Sequence, residues 1–496
     1  MRRLAVASPA ASAAALLGLL ALSAFLRTRA LHDSLWIDEG ISAGIASHPA
    51  GEIPGLLRQD GSPPAYYLLL HAWTELAGTS EVALRAPSVV FALITVPAAL
   101  WAGRSLFGRE AGWICAAIAA VLPFLTLYAQ EVRMYALVGL LSVLATTAFV
   151  QAFAFGRRRH APLLAALLAL LLYTHYWALF LALGMLAALA ALIVGAARED
   201  RRRLLVDGAL AFGLAGLAFA PWLPTLAFQL EHTGAPWSNP PPPGALAAAL
   251  ALAAAAAVVP RLAAGPAEGQ ALQALAVAAG VTLAAGWAAA LVEPGWASRY
   301  LAVLVGPLLL LGCAALARIG PLGLVAAAAI ACAWALDMGP TEKSNVAGAS
   351  EAVAASLQPG DLVVSTQPEQ VPVLAHYLPD GLRFATPLGP VADPEVMDWR
   401  NALPRLETTA PEHALAPLLD ELPNGARILL VAPEVGDGSR WRSPWTRLVA
   451  TRSGEWASAL GADARFRRVD GAVPEALTSR TSVRLVLYAK AGETRG

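Results

Sequence analysis

Two adjacent carboxylates, Asp38 and Glu39, stand in Trp36-Ile37-Asp38-Glu39-Gly40, just past the first apolar run of the chain. A charge at the bilayer centre costs at least about 2.5–3.5 kcal/mol. The pair therefore belongs at an interface or in the wall of a polar cavity. Trp36, Ile37 and Ile41 would sink this segment to headgroup depth. A carboxylate partly stripped of water there becomes a better base. The plain alternative is a solvated pair of loop acids. Other residues could share the chemistry. Arg299 and Tyr300 follow Glu293-Pro294-Gly295-Trp296 at the end of an apolar run, and Arg85 has a similar setting. A guanidinium so placed either grips a phosphate through its planar fork or anchors the helix at the interface. Glu131 and Arg133 lie between two apolar runs with almost no loop, which suits a ligand cavity or an internal ion pair. His175 and Tyr176 occupy another short turn, and Asp60 is a further acid in Asp60-Gly61-Ser62-Pro63-Pro64. A lone His is more often structural than catalytic, and no second His at metal-ligand spacing accompanies His175.

These residues need a scaffold. Of 496 residues, 57% are hydrophobic and 14% charged, against about 25% charged in soluble domains. Repeated apolar runs near bilayer length make this a polytopic α-helical membrane protein. Thirty-five basic and 35 acidic residues cancel, which removes any bulk electrostatic case for nucleic acid. Cys115, Cys313 and Cys332 all lie in apolar runs and show neither disulfide nor zinc spacing.

Eleven transmembrane helices are expected, near 7–28, 82–103, 111–127, 134–155, 161–175, 177–197, 204–222, 244–261, 270–292, 300–317 and 321–338. The first reads as an uncleaved helix rather than a signal peptide. Pro63–Gly78 is too short to span and reads as an interfacial or re-entrant helix. Arg2, Arg3, Arg104, Arg109, Arg157–Arg159, Arg198, Arg201–Arg203, Arg261 and Arg318 fall on one side, which the positive-inside rule makes cytoplasmic. Arg27 and Arg29 go against it. This topology puts Asp38, Glu39, Asp60, Arg85, Glu131, Arg133, His175, Tyr176, Arg299 and Tyr300 on the outer side of the cytoplasmic membrane. Pro240–Pro243 should form a stiff polyproline segment.

The composition changes after Pro340. Helices are expected at 351–357, 370–377 and 445–460, and strands at 361–365, 427–431, 466–469 and 483–488. The expected organisation is a transmembrane catalytic domain over 1–340, with its first outer loop at 30–80, and an extracytoplasmic α/β domain with a partly parallel sheet over 341–496. The latter carries no Gly-rich phosphate fingerprint.

A one-sided site of acids and arginines suits a substrate with a lipid tail and an anionic head. Transport, or lipid binding alone, is the competing class. A transporter would favour charges at the bilayer midplane and repeated halves, and neither is evident.

The motifs then show a resemblance. Trp36-Ile37-Asp38-Glu39, Asp60-Gly61-Ser62-Pro63-Pro64-Ala65-Tyr66-Tyr67, Leu84-Arg85-Ala86-Pro87-Ser88, Tyr128-Ala129-Gln130-Glu131-Val132-Arg133-Met134-Tyr135, Tyr173-Thr174-His175-Tyr176 and Arg299-Tyr300-Leu301 resemble, in order, the bacterial GT-C membrane glycosyltransferases. That group is related to protein O-mannosyltransferases and aminoarabinose transferases. The resemblance covers roughly residues 30–310. It implies inverting transfer from a polyprenyl-phosphate sugar to a hydroxyl of a lipid, glycan or protein acceptor. Asp38 would be the base or position the acceptor, with Glu39 in support. Arg299 and Arg85 would neutralise the donor phosphate. Asp60, Glu131, Arg133, His175, Tyr176 and Tyr300 would line the substrate. It implies no cofactor and no catalytic metal. Many relatives carry His before the Pro-Pro pair, where this chain has Ser62.

Overall fold

The computed structural model describes residues 8–263, 265–337, 343–434, 441–469 and 481–491. The boundary drawn at 340, and Arg2 and Arg3 of the topology argument, lie outside them. By internal contacts the chain forms two compact units. One comprises 1–31, 85–223 and 240–340, the other 32–84, 224–239 and 341–496. The first outer segment and the C-terminal segment are thus members of the same unit.

The first unit is helical. Among the described residues, eight helices are long and apolar enough to cross a membrane, and nine if the bent pair Arg109–Val121 and Pro123–Ala129 counts as one. The chain is a multi-pass membrane protein. Two other expected spans are the shorter helices Ala161–Thr174 and Pro321–Asp337. Ala- and Leu-rich runs favour helix intrinsically, and in lipid every backbone group must be paired within its segment.

Arg27 closes the first helix, Pro9–Arg27, and is wholly buried. Its Nη1 donates to the Ala92 carbonyl at 2.5 Å and its Nη2 to that of Ala119 at 2.6 Å. Pro123 has no N–H, so the carbonyl four residues earlier, Ala119, loses its helical donor. Arg27 supplies the replacement at the 46° bend between the paired helices. Its departure from the charge rule has this physical reason: it serves inside the bundle, not in a loop.

Ser142 sets another junction. Its hydroxyl donates to the Val303 carbonyl at 2.6 Å and accepts from the Gly306 N–H at 3.0 Å. A side chain at Gly306 would collide with the Ser142 backbone. This contact seats the 3-10 segment Ser298–Leu304 beside the helix Tyr135–Phe149.

The second unit is built on a six-stranded mixed sheet. Its strands are β1 Leu362–Ser365, β2 Arg383–Thr386, β3 Gly389–Val391, β4 Arg427–Pro433, β5 Phe466–Arg468 and β6 Val483–Lys490, in the order β3-β2-β1-β4-β6-β5. The pairs β1–β2 and β1–β4 are parallel and the others antiparallel. Buried on both faces, β1 is a continuous apolar run, as central parallel strands are. Leu362, Val364, Ile428 and Leu430 pack with Trp456 and Leu460 of the helix Pro444–Ala462. The sequence missed β2 and β3, which have four and three residues, and the short helices between 402 and 421. Its helix at 351–357 lies at Val346–Ala354.

Into the same unit fold the helices Ile37–Ser47, Ile53–Asp60 and Ala65–Ala77. The last has 13 residues, too few to span a bilayer. Gln229 holds this segment, donating to the Leu57 carbonyl at 2.7 Å and the Ser62 carbonyl at 3.1 Å. Of the expected polyproline segment, Pro242 has that conformation, φ −70° and ψ 141°, while Pro243 already begins the helix Pro243–Val258.

Candidate active site

Asp38 and Glu39 lie in the first turn of the Ile37–Ser47 helix, where the helix dipole favours negative charge. Their settings differ. Glu39 is fully buried and its Oε2 accepts from the Trp36 N–H at 3.3 Å. It therefore caps the helix from its third position. Asp38 is half-buried, and its carbonyl accepts from the Ser42 hydroxyl at 2.9 Å.

The chain entering this turn is pinned. The Leu35 N–H donates to the Tyr377 hydroxyl at 2.8 Å, and that hydroxyl donates to Glu81 Oε1 at 3.0 Å. The Lys343 ammonium lies 5.6 Å from the centre of the Trp36 ring. Gly40 crosses the Val371–Tyr377 helix so closely that an added Cβ would stand 2.6 Å from the Val373 side chain and 2.7 Å from its backbone. Asp38 is thus held on a rigid helix crossing. Asp60 ends the helix Ile53–Asp60 in the same unit and accepts from the Tyr67 hydroxyl at 3.3 Å.

The helical unit gathers a second group. The ring of His175 lies 4.8 Å from Tyr300 and 5.7 Å from Tyr135, centre to centre. Trp177 reaches Tyr300 at 5.6 Å and Trp296 at 5.4 Å. His175 Nδ1 accepts from the Trp177 N–H at 3.2 Å, which leaves Nε2 as the protonated nitrogen of the neutral ring. Arg133 and Arg299 both act electrostatically on His175. Glu131 is buried, 3% exposed, in the turn that carries Arg133. The structure therefore brings Glu131, Arg133, His175, Arg299 and Tyr300 into one unit, cationic and aromatic together. Tyr176 turns its hydroxyl to Trp222, whose Nε1 donates to it at 2.8 Å. Arg85 is buried and donates from Nη1 to the carbonyls of Ala30 and Leu31, at 3.2 and 3.0 Å.

Sequence reading missed two features. Glu369 is a buried acid of the C-terminal segment, marked only by standing in Gln367-Pro368-Glu369-Gln370 directly after a strand. His48, Asp393 and Glu395 bring three potential metal-ligand atoms within 4.8 Å of one another. His48 Nε2 lies 3.0 Å from Asp393 Oδ2. That trio is assembled across 345 residues, so no local spacing could show it.

Residues 61–227 match the family of dolichyl-phosphate-mannose-protein mannosyltransferases. Over almost its whole length the chain has the fold of ArnT from Cupriavidus metallidurans. The apo ArnT structure is 16% identical, with TM-score 0.55, covering 98% of this chain and 100% of that one. The structure with undecaprenyl phosphate bound is 15% identical, with TM-score 0.54 and coverage of 99% and 100%. The chain thus has the fold of these membrane glycosyltransferases, and its residues 61–227 resemble the mannosyltransferase family. The archaeal oligosaccharyltransferase AglB from Archaeoglobus fulgidus, in complex with an inhibitory peptide and a dolichol-phosphate, shares this fold at 10% identity. Its TM-score is 0.51, over 84% of this chain and 69% of that one. No curated protein matches the chain. The segment matched by the family includes Arg85, Glu131, Arg133, His175 and Tyr176, while Asp38, Glu39, Arg299 and Tyr300 stand outside it.

Proposed function

We propose that this glycosyltransferase moves a sugar from a polyprenyl-phosphate donor to an acceptor hydroxyl at the outer face of the cytoplasmic membrane, with inversion. The arginine bias supports this orientation, with the N-terminus inside and, if the two short helices and the bent pair each count as a span, the C-terminal segment outside. The observation that carries this reading is the group of half-buried Arg133, Arg299 and Tyr300 around buried His175, with buried Glu131 in the adjoining turn. Planar guanidinium donors near membrane depth suit a phosphate attached to a lipid tail. ArnT, of the same fold, binds undecaprenyl phosphate.

The chemistry follows from the bond that breaks. The anomeric carbon parts from the phosphate oxygen, and the electron pair stays on the phosphate. That leaving group needs charge neutralisation rather than a proton, and Arg299 supplies it, with Arg133 and Arg85 as further cations. The acceptor oxygen attacks from the opposite face in an oxocarbenium-like step. Its proton goes to Asp38, a half-buried carboxylate at a fixed helix start. Glu39 keeps that helix start in place, and Asp60, Tyr176 and Tyr300 line the substrate.

The test is transfer by the purified full chain in lipid, supplied with a polyprenyl-phosphate sugar labelled in the sugar. Release of polyprenyl phosphate together with a glycosylated acceptor is the expected result. Binding or movement of the intact donor without bond cleavage would instead make the protein a lipid-binding or transport protein.

A further inference from the structure

The C-terminal segment buries one acid that no step above uses. Glu369 sits in the 3-10 turn Pro368–Gln370, between β1 and the Val371–Tyr377 helix, and is 5% exposed. Its Oε1 accepts from Gln367 Nε2 and from Trp445 Nε1, both at 2.9 Å. Among the described residues no donor reaches Oε2. A buried carboxylate keeps its charge only where donors or a cation compensate it. Two neutral donors on one oxygen leave the other exposed to the full cost of burial.

The turn packs against the Ile37–Ser47 helix, and the charge of Asp38 falls on Glu369. The other titratable groups on the elements packed here are Glu39, His376, Tyr377, Arg447, Arg452 and Glu455, and Asp393, Asp398, Arg400 and Arg405 line a cavity together with Pro368. Asp38 is the one whose charge acts on it. Burial is the largest influence and holds the Glu369 carboxyl above the usual range. The bonds from Gln367 and Trp445 work against that rise, and Asp38 adds to it.

We propose that Glu369 and Asp38 form a carboxyl pair carrying one negative charge, in which buried Glu369 keeps a proton and Asp38 is the charged member. The proposal rests on the reading of Asp38 as the base. Paired acids in unlike settings divide roles in this way. Glu369 is then a positioning residue. A neutral Glu369 spares Asp38 a second negative charge beside it, and its own proton does not move during transfer. The acceptor proton goes to Asp38 and from there to water.

Glu369→Gln is uncharged, nearly isosteric and able to accept the same two bonds. In the full chain it should transfer within about threefold of wild type at neutral pH. The alkaline limb of the pH–rate profile, where wild-type Glu369 ionises, should be missing from the variant. The sign for stability is fixed. An unfolded Glu ionises near about 4.3 while the folded one holds its proton. The contribution is thus fully present below that value and is lost as pH rises through the raised folded value, and the variant removes this slope. A protonated-carboxyl infrared band at neutral pH should disappear in the variant. A folded Glu369→Gln protein that loses transfer by about 100-fold or more would overturn the proposal, and so would an unchanged infrared band or pH profile. Should the variant not fold, the wild-type band decides: its presence at neutral pH supports the pair and its absence refutes it. Asp38→Asn with normal transfer would refute the base reading by itself, while the wild-type band would still report the Glu369 proton.

Discussion

Two arginines buried in the helical unit and two in the sheet unit hold their charges by different means. In the helical unit Arg27 spends its fork on the carbonyls of Ala92 and Ala119, and Arg85 donates to Ala30 and Leu31. In the sheet unit Arg400 and Arg405 meet a carboxylate. Arg400 binds Asp398 through Nε at 2.8 Å and Nη2 at 3.0 Å, and Arg405 adds a contact at 3.3 Å. Burial opposes the charge of Asp398, yet these arginines hold its carboxyl below the ordinary range. The contrast separates two kinds of arginine among the helices. One kind closes a backbone defect, as Arg27 does at Pro123. The other, Arg133 and Arg299, stands among His175, Tyr135 and Tyr300, where the proposed donor phosphate would be met.

Substitutions can break that distinction. Arg299→Ala should weaken donor-lipid binding and lower kcat by about 10²–10³-fold, as removal of a charge-stabilising donor does elsewhere, and leave thermal stability nearly unchanged. A titration with polyprenyl-phosphate sugar and a melting curve check both halves. Arg27→Ala should do the opposite. It strands the Ala119 carbonyl and costs about 1–3 kcal/mol of stability, with donor affinity intact in the protein that remains folded. If Arg27→Ala weakened donor binding while stability held, the division would fail. Gly40→Ala probes the other unit. Its Cβ would press on Val373, and overpacking of this kind costs about 1–3 kcal/mol. Melting should register the loss, and turnover should fall with it because Asp38 rides on the same helix.

What the sequence could show follows from the physics of each region. Long apolar runs carry their own evidence, so all eleven expected segments are helices. Arg27 looked anomalous because its partners, Ala92 and Ala119, are 65 and 92 residues away. The Pro63–Gly78 segment was readable as a non-spanning helix because His71 and Glu75 shorten its apolar run. The edge strand Gly389–Val391 was not readable, since three residues including a Gly and a Pro have little strand character. Nor could the sequence join residues 32–84 to the C-terminal segment, because contacts such as Leu35 with Tyr377 span 342 residues. The motif residues could be named from the sequence, but not their division between the two units, with Asp38, Glu39 and Asp60 in one and the others in the other. The burial that separates Glu39 from Asp38, and the unpartnered oxygen of Glu369, needed coordinates.

The central claim is that Asp38 takes the acceptor proton while the arginines of the helical unit hold the donor. Single-turnover transfer by Asp38→Asn, with labelled donor already bound, tests it most directly. The account predicts donor affinity equal to wild type and transfer slowed by about 10²–10⁴-fold, the range for a lost general base. Transfer at the wild-type rate would contradict it.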